Sequence, residues 1–347
     1  MLTTIIVSPR ERFSSLPHSL RSLFKTISPD QPVIVVEGAT PPDIREELNE
    51  INEARPFEHI AFPYPVTPNQ ARNIGSDRAT TDYIVFSDND IEYEEGWLEA
   101  LERTAISENA DAVGPLIFIG PASPRKVHHA GGVLVGKHED DGLKLVEKHR
   151  LMNAEWPDVA DDIDALAPIT NEVCEFHCAM VRREFLNSVD KLDERLVTRE
   201  QMDFALQAKS TGACVRFSRK SHVTYRSFDP IDRLDDLHYF LFRWSDEYVV
   251  ASLDAFEGNW QIKAERDRVR YGWTRKHRRR AVASYHRGWS RILGASVTGR
   301  LFLAYEERKA RERFEDMLSF APGPAQSSKR STFAASGLFT SKAPTAE

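Results

Sequence analysis

The chain has 347 residues, a formal net charge of -7 at pH 7, 29% charged residues and 41% hydrophobic ones. That composition belongs to a globular protein long enough for one large domain plus an addition, and its acidic balance argues against nucleic acid as a partner. Three cysteines, Cys174, Cys178 and Cys214, are too few and too odd in number for a disulfide framework and are expected to be reduced.

Residues 1–7 lack a basic leading segment and a long apolar core, so no signal peptide is expected. No apolar run is long enough for a bilayer span. The expected location is therefore cytoplasmic, or peripheral at the inner face of a membrane. Residues 3–7 are β-rich, and Leu16, Leu20, Leu23, Phe24 and Ile27 then recur at helical spacing. A second apolar run over 32–36 ends at Glu37 and Gly38, and Ile44, Leu48 and Ile51 mark another amphipathic helix. Thr67 and Pro68 have the pattern of an N-cap followed by proline at the first helical position, opening a helix that carries Arg72, Asn73 and Gly75. Residues 83–86 then read as a buried strand that stops at Ser87-Asp88-Asn89-Asp90.

Strands alternating with helices of this length predict an α/β fold with a mostly parallel sheet flanked by helices on both faces. Such sheets bind ligands beyond the carboxyl ends of their strands. No G-x-G-x-x-G follows the first strand and no G-x-x-x-x-G-K-[ST] occurs, so neither dinucleotide binding nor a P-loop is predicted. Asp88 and Asp90 offer another way to handle phosphate. Side chains at i and i+2 of extended chain point the same way, so both carboxylates can face one hard divalent cation, Mn2+ or Mg2+, that neutralises a diphosphate. Asp and Asn are also ordinary turn formers after strands.

Beyond this point a helix is predicted over 95–106 and a strand over 112–119. The adjacent His128 and His129 would point to opposite faces of a strand, which favours substrate contact or structure over joint metal ligation. Residues 153–171, rich in Asp, Ala and Pro, are expected to form a mobile excursion over the site. A strand is predicted over 174–181, with a short helix starting at Arg182. Thr198 and Gln201 have the spacing of a capping box that puts Glu200 in the first turn of a helix. On the plainest reading Glu200 and Asp203 complement that helix's dipole. Two strands, 214–217 and 221–225, close this part.

From Phe228 onward the pattern is helical, over 234–244 and 248–256. Between Arg266 and Arg291 arginines are dense, with Trp273, Tyr285 and Trp289 interleaved. That pattern suits peripheral contact with an anionic membrane surface, and equally a solvated helix or a homo-oligomer interface. Residues 321–347, rich in Ser, Pro, Ala and Gly, read as a disordered tail. The expected organisation is a main domain at 1–228, a helical C-terminal extension at 229–320 and the tail at 321–347.

Ala71-Arg72-Asn73-Ile74-Gly75, then Tyr83 to Asp90, then Gly96-Trp97-Leu98, resemble in order the A-R-N-x-G helix, the D-x-D strand end and the following helix start of family 2 nucleotide-sugar glycosyltransferases with the GT-A fold. Val181-Arg182-Arg183-Glu184-Phe185, Leu192-Asp193-Glu194 and Glu200 to Phe204 resemble that family's acceptor-side run. The resemblance implies a Rossmann-like GT-A domain and transfer of a sugar from a nucleoside-diphosphate donor to a hydroxyl acceptor, a glycan or a lipid-linked one, usually with inversion. It implies Pro9, Glu37, Arg72, Asn73, Asp88 and Asn89 around the donor, and Asp88 and Asp90 at the metal, with His222 near the position of the family's late metal-binding histidine. The family's usual base is the Asp of a Glu-Asp pair, which here reads Glu200-Gln201. An amide cannot act as a base, so the role passes to Glu200, with Asp203 as second choice. Two other classes share part of the pattern: a catalytically silent sugar-nucleotide-binding or scaffolding protein, and a nucleotidyltransferase.

Overall fold

The computed structural model describes residues 1–120, 125–139, 142–163, 171–226, 230–318 and 335–339. Its first half alternates β1 (Thr3–Ser8), α1 (Ser15–Thr26), β2 (Val33–Gly38), α2 (Pro42–Ala54), β3 (Glu58–Phe62), α3 (Pro68–Arg78) and β4 (Tyr83–Asp88). β5 (Ile91–Tyr93), α4 (Trp97–Ser107), β6 (Ala112–Ile119), β7 (Lys126–His129) and a separate hairpin of β8 (Gly132–Glu139) and β9 (Gly142–His149) follow. Next come α5 (Trp156–Val159), β10 (Cys178–Arg182), α6 (Arg183–Ser188), α7 (Glu200–Thr211) and β11 (Val215–Tyr225). The C-terminal helices are α8 (Leu234–Arg243), α9 (Asp246–Trp260), a π-helical segment Arg268–Thr274, α10 (Arg275–Tyr285), α11 (Arg287–Leu293) and α12 (Ala295–Leu318).

The main sheet has the order β3-β2-β1-β4-β10-β6-β11-β5, with β7 added on β6. β1 to β4 are mutually parallel, as right-handed βαβ crossovers require. β10 returns antiparallel between β4 and β6, and β11 is again parallel to β6. Alternation along the strands sends Ile5, Val7, Val33, Val35, Tyr83 and Val85 to one face, and Ile6, Ile34, Val36, Ile84 and Phe86 to the other. The first face packs against α1, α2, α4 and the C-terminal helices in one continuous core that includes Leu237, Leu241, Val249, Val282 and Phe314. The second face packs against α3, α6 and α7. Gly75 allows α3 to lie close on β1, because a Cβ there would sit 2.5 Å from Ile6 Cγ2.

The predicted start of α3 forms as a full capping box: the Gln70 N–H donates to Thr67 Oγ1 and the Thr67 N–H donates to Gln70 Oε1. The capping box predicted at Thr198 and Gln201 does not form. Thr198 is held through its backbone by Ser252 of α9, which accepts its N–H at 3.2 Å and donates to its carbonyl at 2.8 Å. Arg199 turns at a φ of 67°, and Gln201 reaches Glu147 instead, so α7 opens at Glu200 without a side-chain cap. Residues 214–225 are not two strands but a single β11 with a bulge between Ser218 and His222. The strand predicted from Cys174 starts only at Cys178, whose N–H donates to the Glu175 carbonyl in a turn. That turn lifts Glu175 and His177 to the end of the sheet. Of the predicted excursion 153–171, residues 164–170 lie outside the described residues, and Trp156–Val159 forms a helical turn. Of the predicted tail, only 335–339 are described, and Ala335 is buried among Leu134, Leu145 and Met202.

Candidate functional site

Because β1, β2 and β4 are parallel, their carboxyl ends lie along one edge and carry Pro9 and Arg10, Glu37, and Asp88 with Asp90, respectively. Asp88 is fully buried. Its Oδ1 accepts from Arg72 Nη2 at 2.8 Å, its Oδ2 lies 3.0 Å from His177 Nδ1, and Arg10 Nε is 3.5 Å away. Burial opposes the charge on Asp88, but Arg10, Arg72 and His177 outweigh it and hold the carboxyl far below its ordinary value. Asp90 has the opposite fate: burial and the charge on Asp88 push it up to about 7. Its Oδ1 is buried without a hydrogen-bond partner. Asp88, Asp90 and His177 each offer a ligand atom within 4.8 Å of the others. Two buried carboxylates, one of them orphaned, beside an imidazole form a donor set that fits a divalent cation.

Arg10 ties this group to the start of α7. Its Nη1 donates to Glu200 Oε1 at 2.9 Å, and Arg243, at the end of α8, stands 3.9 Å from the same oxygen. Burial raises the Glu200 carboxyl, but Arg10, Arg243 and Arg72 together hold it below its ordinary value. The His177 ring stacks on Tyr225 with centroids 4.0 Å apart. Tyr225 Oη donates to Glu11, which also accepts from Trp244 Nε1 at 3.1 Å. Burial works against protonation of His177, yet its hydrogen bond to Asp88 raises it above the ordinary histidine value.

A family model, Glycosyl transferase family 2, matches residues 4–189. The chain belongs to glycosyltransferase family 2. Its fold is of the GT-A type, and a solved structure of GalNAc-T7 with UDP, GalNAc and Mn2+ is similar at 16% identity and a TM-score of 0.51. The match covers 92% of this chain and 56% of that one, so the chain spans little more than half the length of that protein. The mannosyltransferase PcManGT from Pyrobaculum calidifontis, in complex with GDP-Man and Mn2+, is 12% identical with a TM-score of 0.48, over 92% of this chain and 85% of that one. S. aureus TarS 1-349 is 13% identical with a TM-score of 0.45, over 92% and 90%. No curated protein matches the chain.

The residues expected around the site of this family 2 glycosyltransferase divide into two groups. Asp88, Asp90, Arg72 and Glu200 converge, linked by Arg10. Glu37 is buried at the end of β2, with both carboxylate oxygens lacking a hydrogen-bond partner and His59 Nε2 at 3.4 Å. Asn89 is a brace: its Nδ2 donates to the Arg12 carbonyl and its Oδ1 accepts from the Arg10 N–H, fixing the loop after Pro9. Asn73 braces the other side, donating to the Leu192 carbonyl at 2.8 Å and accepting from the Leu192 N–H. Asp203 is bound to α9 through Trp260 Nε1 at 2.8 Å, and within its own helix it accepts from Gln207. His222 lies apart from the carboxylate pair, 3.3 Å from Glu94 and edge-on to Phe118 and Trp156. The imidazole beside Asp88 and Asp90 is His177.

Sequence reasoning assigned no role to Arg10 or Arg243, and it set aside the 174–178 segment that carries His177 as a metal site because no second ligand pair at zinc spacing accompanies it. Arg10 directly follows Pro9 at the end of β1, a position at which any charged residue meets the ligand edge of a parallel sheet. His177 was hidden by reading 174–181 as one strand. Arg243 had no local signal, because α8 reaches Glu200 only through tertiary packing.

Proposed function

We propose that this family 2 glycosyltransferase moves a sugar from a nucleoside-diphosphate donor to a hydroxyl acceptor by single displacement with inversion. The observation that carries this reading is the buried pair at the end of β4, where Asp90 keeps an unpartnered oxygen beside Asp88 and His177. Those three side chains would hold Mn2+ or Mg2+, which when bound supplies a Lewis acid against the charge of the leaving diphosphate. Pro9 and Glu37 border the space for the nucleoside; Glu37 Oε1 faces His59 and Arg45, and Oε2, without a hydrogen-bond partner among the described residues, suits a hydroxyl or amino donor of a ribose or base.

Arg10 gives the site a sequence of events. Its guanidinium stands between Asp88 and Glu200, so a diphosphate arriving beside it competes with both carboxylates for the same charge. A carboxylate held by arginines is a weak base. Once Arg10 turns to the diphosphate, Glu200 becomes more basic at the moment the donor is in place, and it accepts the proton of the incoming hydroxyl. Arg72 stays with Asp88 and keeps that carboxylate ionised.

The test is release of nucleoside diphosphate from a panel of sugar nucleotides, with and without Mn2+, by the wild type and Asp90→Asn. Slow Mn2+-dependent release that the variant lacks is expected. Binding without release under any acceptor would favour the silent sugar-nucleotide-binding or scaffolding alternative, and release of sugar 1-phosphate in place of nucleoside diphosphate would mark a nucleotidyltransferase.

The C-terminal face supports a lipid-linked acceptor. No helix among the described residues is long and apolar enough to cross a membrane. Several arginines of 266–291 are paired within the chain: Arg266 to Asp254 and Glu257, Arg268 to Glu265, Arg270 to Asp246, Arg278 to Asp246 and Glu307, and Arg287 to Asp232. The attraction to anionic lipid therefore falls to the remaining arginines and to exposed Trp289, Ile292 and Leu301, with Ile292 75% exposed. Flotation with anionic liposomes at low salt should carry the protein up, and Trp289→Ser with Ile292→Ser should leave it behind.

A further inference from the structure

Beside the sugar-transfer site lies a second cluster that the mechanism does not use. His129 at the end of β7, His149 at the end of β9 and Glu175 in the turn before β10 each offer a ligand atom within 4.8 Å of the others. The rings of His129 and His149 are 4.8 Å apart, edge to face. His129 is fully buried, and neither of its ring nitrogens meets a partner in hydrogen-bond geometry. A fully buried imidazole without a proper partner has an unmet cost unless something else occupies its lone pair.

The neighbouring His128 does not share this cluster's role. Its ring stands 5.3 Å from His177, 5.7 Å from Tyr225 and 6.1 Å from His149, and it is not among the three side chains whose ligand atoms come together. The two adjacent histidines thus serve two places, as opposite faces of a strand require. Glu147 completes the surroundings of the cluster, with Oε1 2.6 Å from His149 Nε2 and Oε2 accepting from Gln201.

We propose that His129, His149 and Glu175 bind a divalent transition-metal ion of the zinc class, separate from the hard-cation site at Asp88 and Asp90. Two imidazoles and one carboxylate are a donor set for Zn2+, Co2+ or Fe2+, whereas two carboxylates at a strand end suit Mg2+ or Mn2+. Glu147 or a water is the fourth ligand. The ion would tie β7 and the β8–β9 hairpin to the turn that carries His177, two residues beyond Glu175. Its role is therefore to position His177.

The test uses tag-free full-length protein, stripped with chelator, in an Asp88→Asn/Asp90→Asn background that disables the first site. Titration with Zn2+ alone against a chromophoric chelator should give one tight equivalent. Titration with Co2+ alone should give the intense visible absorption of a four-coordinate site. His129→Ala should weaken Zn2+ binding at least ~100-fold and abolish the cobalt bands, and His128→Ala should change neither. If circular dichroism shows His129→Ala unfolded, Glu175→Gln and His149→Asn are read in its place. No tight equivalent in the background protein, or the same affinity after removal of His129 or its substitutes, overturns the proposal.

Discussion

Asp90→Asn should make the metal-free protein more stable while removing metal-dependent turnover. Burial, joined by the charge on Asp88, raises Asp90 from an ordinary 3.8 to about 7. At about 1.4 kcal/mol per pH unit, that interval corresponds to at most ~4 kcal/mol. Below about pH 4 the folded and unfolded chains both hold the proton and the penalty is absent. From there to about pH 7 the unfolded chain releases a proton that the fold retains, so stability falls as pH rises, and above pH 7 the whole penalty is carried. Asparagine keeps the shape and cannot ionise. In EDTA at pH 8 the variant should therefore melt higher than the wild type, by on the order of 5 °C for a chain of this size. Near pH 4 the two should coincide. Added Mn2+ stabilises the wild type by mass action, about 2.7 kcal/mol at a hundred times its dissociation constant, and the variant should lose most of that gain. A variant that melts no higher than the wild type in EDTA at pH 8 would show that Asp90 bears no electrostatic strain.

Glu200→Gln should lower kcat by ~10^2 to 10^4 with circular dichroism unchanged, since general-base assistance is worth that much; full turnover would remove Glu200 as the base. Arg10→Ala should raise the donor KM and cost about 3 kcal/mol in urea unfolding, because it leaves Asp88 and Glu200 buried with one cation fewer. Arg10→Lys should restore part of the stability but little of the donor binding, as an ammonium cannot span both carboxylates. His177→Ala should weaken the Mn2+ dependence of donor release at least ~10-fold while His222→Ala leaves it unchanged; the reverse result would return the metal position to His222.

The parallel half of the fold was legible because βαβ units are written locally. Apolar runs of strand length, helical spacing and the Thr67-Pro68 cap each depend on a few neighbouring residues, and the elements read from them form, whereas β3 went unread. That Asp88 and Asp90 lie together at the end of β4 was legible for the same reason, since one short segment carries both carboxylates. The features that failed were set by distant partners. The Thr198 capping box lost to Ser252, more than fifty residues away. His222 is on β11 as expected, yet the bulge after Ser218 and the neighbouring Glu94 hold it elsewhere. His177 could be found only by knowing that the chain turns at Glu175 before entering β10. Asn73 and Asn89 were read as ligands to the donor, whereas their amides satisfy backbone groups of the loops they brace.

The contacts also blur the division of the chain into a catalytic part and an extension. The family model ends at residue 189, before the candidate base. The segment from Val197 to Asp203 is held by the C-terminal helices: Ser252 fixes the backbone at Thr198, Arg243 donates to the Val197 carbonyl and faces Glu200, and Trp260 anchors Asp203. Asp236 of α8 accepts from the N–H groups of Phe13 and Ser14 at the start of α1, so it fixes the loop that carries Arg10 from the other side. Trp244 and Tyr225 both bind Glu11, and Tyr225 supports His177. The Asp88 and Asp90 end of the candidate site is thus built on the parallel strands, while the positions of Glu200 and Arg10 are set by α8 and α9. A chemical step that depends on Arg10 leaving Glu200 is for that reason coupled to how those helices pack.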